Sequence, residues 1–191
     1  MDIKTNKIIN SIMFFANKSK NNSINRLKLM KLLWLSDRLH LNKYGRLILK
    51  DNYCALPHGP VPSLALNYSN SSLPEKFSVK GFYIVSTANF VEDYFSKSDL
   101  EIMNFVWDSF GGYSQYNLRD LSHEFPEWLR YKEDLENIFS PNSYDMVMDD
   151  FFVAPENDKL KEIFELYNFE NSKSYFHSYN AIQSNLNKQC L

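Results

Sequence analysis

Cysteine is nearly absent from this chain: Cys54 and Cys190 are the only two among 191 residues. Their separation matches no metal-ligand or redox spacing, so both are read as free thiols of a reducing, cytoplasmic setting. Glycine is scarce as well, at five residues, and no glycine-rich phosphate loop follows a strand. No apolar run approaches the roughly 18–20 residues of a membrane span. Near the N-terminus Lys4, Asn6, Lys7 and Asn10 interrupt any signal-like apolar core. An excess of one charge sign is also missing. Lys and Arg number 21 against 23 Asp and Glu, a formal net charge of −2, so no global field draws in nucleic acid or anionic lipid. Neither an HExxH helix nor a G-x-S-x-G elbow is present. What the chain does have is apolar bulk, 44% hydrophobic and 16% aromatic, enough for a real core in one domain or one domain with an extension.

The patterning predicts a mainly α (α+β) fold with one small antiparallel hairpin. Ile8, Ile9, Ile12, Met13 and Phe15 recur at helical spacing over roughly residues 4–18. After a polar break at 17–23, a second helix runs from about Asn25 to Tyr44 and closes on Gly45. Two strand-like pieces flank the Lys50-Asp51-Asn52 turn, and Pro57–Pro62 forms a constrained corner ahead of a short helix at Ser63–Tyr68. Phe77–Val79 and Phe82–Val85, split by Lys80-Gly81, read as the hairpin and as the only sheet. Ser96 with Asp99 resembles a capping box ahead of a helix that Gly111-Gly112 stops. Ser114 caps the next helix, and His123–Trp128 makes another corner. Past Ser140-Pro141 the expected elements are helices at Tyr144–Phe152, Asp158–Tyr167 and Lys173–Asn187. The division expected is a domain over 1–135 and a helical extension over 136–191.

The second helix is the most informative stretch. At 100° per residue Lys28, Lys31, Arg38 and Asn42 share one stripe, and nearly all the remaining circumference is apolar. Its Lys28, Lys31 and Arg38 are read as solvated, with contact to phosphate as the competing reading. Asp37 falls between Tyr44 and Met30, and His40 between Leu29 and Leu33, so both are expected to be buried. A buried carboxylate needs specific donors, and the Pro57–Pro62 corner, through backbone N–H groups or His58, is the expected supplier. The reading preferred is a structural network of Asp37, His40, His58, Gly59, Pro60 and Trp128 that ties helix to corner. A competing reading gathers Asp37, His40, His58, His123 and Glu124 as metal ligands or an acid/base set of a hydrolase or nuclease.

Two surfaces stand out as candidates for partner binding. One is the hairpin with Val79, Tyr83 and Val85. The other is the aromatic stripe Tyr175, Phe176, Tyr179, Ile182 and Leu186, which either packs back on the domain or presents itself to another protein. A DNA-binding autorepressor is a further alternative, but no helix-turn-helix with a basic recognition helix is evident.

Three blocks carry a family resemblance. Lys28–Trp34 with Asp37-Arg38-Leu39-His40, Lys43–Arg46, and His58-Gly59-Pro60-Val61-Pro62-Ser63 are similar to the signature of the Panacea domain, also called the SocA-like antitoxin domain. Leu121-Ser122-His123-Glu124 with Trp128 is similar to that family's Leu-x-His-x-x-x-Trp segment. The resemblance covers roughly residues 5–135. Trp34 stands where tyrosine is usual, Leu47 where proline is common and Lys50 where a turn glycine often sits. The resemblance implies a mainly helical antitoxin of a bacterial or phage toxin–antitoxin pair, with relatives on mobile elements. Its expected partner is a cognate toxin encoded by the adjacent gene, held by direct contact or delivered to an ATP-dependent protease. It implies no catalytic residue, no cofactor and no metal, and neither membrane nor nucleic acid is an expected partner.

Overall fold

A computed structural model describes residues 2–164 and 167–189, apart from the side chains at 159, 184 and 186–189. In chain order, helix α1 (Ile3–Lys18) and strand β1 (Ser23–Asn25) lead into α2 (Arg26–Tyr44). Then come β2 (Tyr53–Leu56), β3 (Gly59–Pro62), α3 (Ser63–Tyr68), β4 (Phe77–Lys80) and β5 (Tyr83–Ser86). Helices α4 (Lys97–Phe110), α5 (Gln115–Ser122), α6 (Pro126–Leu129) and α7 (Lys132–Glu136) follow. β6 (Tyr144–Asp145), a 3-10 turn (Met148–Phe152), α8 (Asp158–Phe164) and α9 (Phe169–Gln189) complete the order. The fold is mainly α, 58% helix and 12% strand. No helix among the described residues is long and apolar enough to cross a membrane.

Helix α2 is the axis of the molecule, and its boundaries are set locally. The Asn25 side chain accepts from the Leu27 N–H at 3.0 Å, and Gly45 closes the helix in the left-handed region at φ +66. Every residue from Leu29 to Asn42 is buried. A helix that is apolar nearly all round must be wrapped, and here α1, α4, α5, β3, α9 and the 3-10 turn do the wrapping. The capping box expected at Ser96 is present, with Asp99 N–H donating to Ser96 Oγ at 3.2 Å and Ser96 N–H donating to Asp99 Oδ2 at 2.9 Å.

Two three-stranded antiparallel sheets are present, ordered β1-β5-β4 and β3-β2-β6. The hairpin expected at 77–85 is the β4–β5 pair. The second sheet corrects the expectation of a single one. The Pro57–Pro62 corner is itself a hairpin, with Leu56 opposite Gly59 and Tyr53 opposite Pro62. Prolines argue against a strand, but β3 is an edge strand and their missing N–H groups cost it no ladder bond there. The strand expected ahead of Lys50 does not form, because the N–H groups of Ile48 and Leu49 are taken by a side chain of α2. The helix expected at Tyr144–Phe152 is replaced by β6, which adds to β2 through Ala55↔Tyr144 and Cys54↔Asp145, and by the 3-10 turn.

Candidate functional site

Between Leu29 and Asn42 the polar groups of α2 are all interior, and each has a particular job. Asp37 is fully buried. One carboxylate oxygen accepts from Ile48 N–H at 2.6 Å and Leu49 N–H at 3.0 Å, and the other accepts from the Tyr53 hydroxyl at 2.7 Å. The donors therefore come from the 48–53 segment, and the expectation that the Pro57–Pro62 corner or His58 supplies them is corrected. Burial pushes the Asp37 carboxyl up to about 7, against the pull of the Tyr53, Leu49 and Ile48 donors.

His40 points the other way. Its Nδ1 lies 2.8 Å from the Arg46 carbonyl, which can only accept, so the ring carries its proton on Nδ1. Nε2 then accepts from the Ser98 hydroxyl at 3.1 Å. Burial holds the imidazole down at about 4, so the Asp99 carboxylate 3.3 Å from Nε2 meets a neutral ring. Lys7 at 2.5 Å and Arg46 at 3.0 Å supply the cations for Asp99. Burial alone would raise the Asp99 carboxyl, but Lys7, the Ser96 N–H and Arg46 outweigh it and hold it below its usual range.

Three of the four residues of the stripe whose cations are read as solvated are buried, which is the largest correction; Lys28 is only half-buried and donates from Nζ to the Gly111 carbonyl. Lys31, Arg38 and Asn42 are all 0% exposed. Lys31 Nζ donates to the Pro60 carbonyl at 2.8 Å, so the tie between α2 and the corner runs through Lys31. No described carboxylate pairs with its ammonium, and burial pushes it well below its ordinary range. Gly59 permits the approach. At φ +94 a side chain there is strained, and a Cβ would lie 2.7 Å from Lys31 Nζ and 2.3 Å from Ser122 Oγ. Trp128 holds the same corner by donating from Nε1 to the Leu56 carbonyl at 2.9 Å. Arg38 donates from Nε to Glu127 Oε1 at 2.9 Å and from a terminal nitrogen to the Val153 carbonyl at 2.7 Å. Its guanidinium lies 5.0 Å from the centre of the Phe164 ring. Asn42 donates to the Phe151 carbonyl at 2.7 Å.

These placements scatter the acid/base set. Asp37 faces the 48–53 segment and His40 faces Arg46 and Ser98. His58 is exposed on the β2–β3 turn, apart from the Asp37 network. His123 stacks flat on Trp128 with ring centres 3.7 Å apart, and Glu124 is exposed beyond it. Among the described residues no three His, Cys, Asp or Glu side chains are placed to hold a metal ion. What the axis does is pin surrounding segments through buried polar contacts.

The two histidines make the interior acid-sensitive. His123, like His40, is held at about 4, by burial first and then by the nearby Lys31 and Arg119 cations. Unfolded imidazoles charge near 6.5, so between pH 6.5 and 4 the unfolded state binds protons that these rings refuse. Their contribution to stability is whole above about 6.5 and is lost as pH falls toward 4. An NMR titration is expected to find both rings neutral at pH 5.5. Either ring titrating at or above 6.5 would contradict the placement.

The candidate partner surfaces divide as well. Directly paired residues share a sheet face, so Val79 lies with buried Ile84 and packs on the core, while Tyr83 and Val85 face the opposite side. Tyr83 is half exposed. On α9, Phe176 packs toward Phe152 with ring centres 5.8 Å apart, and Ser172 donates to the Asn42 carbonyl at 2.6 Å. Tyr175 lies against Gly45 and stacks on Tyr179, which also accepts from Lys50 Nζ at 3.1 Å. Ile182 is exposed. The Leu186 side chain lies outside the described residues.

The pattern of the family described as "Antitoxin SocA-like, Panacea domain" matches residues 29–129, more than half of the chain. The chain belongs to this family. No curated protein and no solved structure matches it. The matched Panacea region begins with the first fully buried turn of α2 and ends with α6, so it contains Asp37, His40, Lys31 and the Arg38–Glu127 pair. The 3-10 turn and α9, which cover the other end of the α2 stripe, lie beyond it. Sequence reasoning missed Lys31, Arg38 and Glu127 as interior groups, yet a signal existed. A helix with so little polar surface leaves no exposed side for a polar stripe to face.

Proposed function

We propose that this Panacea domain is the antitoxin of a bacterial or phage toxin–antitoxin pair, and that it neutralises a toxin encoded by the adjacent gene through direct binding. Membership in a family named for antitoxins is the observation that carries the reading. The chemistry of the interior supports it: the polar groups of α2 are used up in holding neighbouring segments, which leaves the surface to recognise a partner. Tyr83 with Val85 on the outer sheet face, and Tyr175 with Ile182 on α9, belong to that surface. Binding of this kind requires no cofactor and no chemical step.

The test is co-expression. The neighbouring gene is expected to arrest growth alone and to lose that effect when this chain is produced with it, in cells with and without their ATP-dependent proteases. Persistent arrest in both hosts contradicts an antitoxin role. Protection that disappears with the proteases replaces direct binding by delivery to a protease.

A further inference from the structure

The charge of this chain is unevenly placed. Residues 124–158 hold ten acidic residues against only Arg130 and Lys132, while the rest of the chain holds thirteen against nineteen. A near-neutral total therefore hides one strongly acidic segment on an otherwise basic molecule.

That segment builds a groove of about 500 Å³ between α6 and the stretch after the 3-10 turn. Its apolar wall and floor are Pro126, Leu129, Val153 and Ala154, with Leu129 42% and Val153 50% exposed. Glu124 and Glu156 stand exposed on the rim, and no described cation forms a salt bridge with either. Asp150 is already occupied by Arg130 across the groove. The two walls are also joined from beneath, because the buried Arg38 holds Glu127 on α6 and the Val153 carbonyl on the other side. A groove fixed in this way loses little conformational freedom on binding. Further along the same acidic segment, Ile138 and Phe139 are 88% and 90% exposed, the two most exposed large apolar side chains among the described residues.

We propose that this groove is the primary docking face for the toxin, and that it takes a basic segment of the toxin carrying one large apolar side chain, with Lys or Arg groups meeting Glu124 and Glu156. Exposed apolar surface accounts for the affinity, and the unpaired carboxylates define the chemistry of the partner. The proposal rests on the antitoxin reading above.

The experiment is calorimetric titration of the full chain with the toxin encoded beside it, at 50 and 300 mM NaCl. The wild-type complex is expected to weaken about tenfold or more across that salt range. Glu124→Lys with Glu156→Lys is expected to weaken binding about tenfold or more at low salt and to remove most of the salt dependence. A paired reversal outside the segment, Lys76→Glu with Lys97→Glu, is expected to leave the affinity within twofold. Circular dichroism of each variant confirms that the changes leave the fold intact. A groove variant that binds within twofold of wild type at both salts, while the wild type still protects cells, overturns the docking face and spares the antitoxin reading. A wild-type chain that neither binds nor protects overturns both.

Discussion

Asp37→Ala is expected to lower the stability of the fold by roughly 3–5 kcal/mol. The substitution strands three buried donors at once, the N–H groups of Ile48 and Leu49 and the Tyr53 hydroxyl. Each buried donor left unsatisfied costs about 1–3 kcal/mol, and partial relaxation of the 46–50 loop keeps the total below the simple sum. Against a typical domain stability of about 5–15 kcal/mol, that is a large fraction. Urea unfolding followed by circular dichroism reads it directly. The deficit also has a predicted pH dependence. The native carboxyl keeps its proton up to about 7, whereas the unfolded one loses it near 3.8. The contribution of the wild-type group therefore falls as pH rises from about 4 to 7. The deficit of Asp37→Ala is accordingly larger at pH 5 than at pH 8, and an equal deficit at both would contradict the burial of this carboxyl.

Glu127→Ala is expected to cost a similar amount, about 3–5 kcal/mol, for a different reason. Arg38 and Glu127 are both fully buried, and the guanidinium cannot shed its charge to adapt. Burial pushes the Glu127 carboxyl above its ordinary range even with Arg38 pulling it down. Removing the carboxylate leaves a buried cation with only the Asn42 side chain and the Val153 carbonyl as polar partners. Arg38→Met combined with Glu127→Leu removes both charges while keeping most of the volume. That double variant is expected to recover at least half of the loss, because a buried ion pair is worth little relative to an apolar pair of similar size. A double variant as unstable as the single one would mean that the Val153 and Asn42 contacts of Arg38, not the ion pair, carry the effect.

Both substitutions act through side chains whose surroundings were unequally legible in the sequence. The burial of Asp37 and His40 followed from their angular positions on α2, and the structure leaves neither exposed. The caps at Gly45 and Ser96 followed from local chemistry that needs no tertiary partner. The partners did not follow. Asp37 is satisfied by a loop only eleven residues away, and its claim on two N–H groups is what keeps that loop from pairing as a strand. The second sheet was hidden because β3 carries two prolines and its hairpin turn resembles an irregular corner. The burial of Lys31, Arg38 and Asn42 depends on elements distant in sequence, β3, α6 and the 3-10 turn, that no local periodicity reports. The family resemblance drew on the same residues and holds over 29–129. The acidic groove was present in the composition all along, masked by a net charge near zero.

On the proposed antitoxin reading, the polar residues of α2 serve the fold and neutralisation of the toxin belongs to the surface. The most direct test measures cell protection against the folded fraction for Asp37→Ala and Glu127→Ala over a range of temperatures. Protection is predicted to follow the folded fraction and to return in full at temperatures where each variant is native. A variant that is fully folded, with wild-type circular dichroism and a cooperative melt above the growth temperature, yet gives no protection would place these interior groups in the neutralising activity itself and contradict the account.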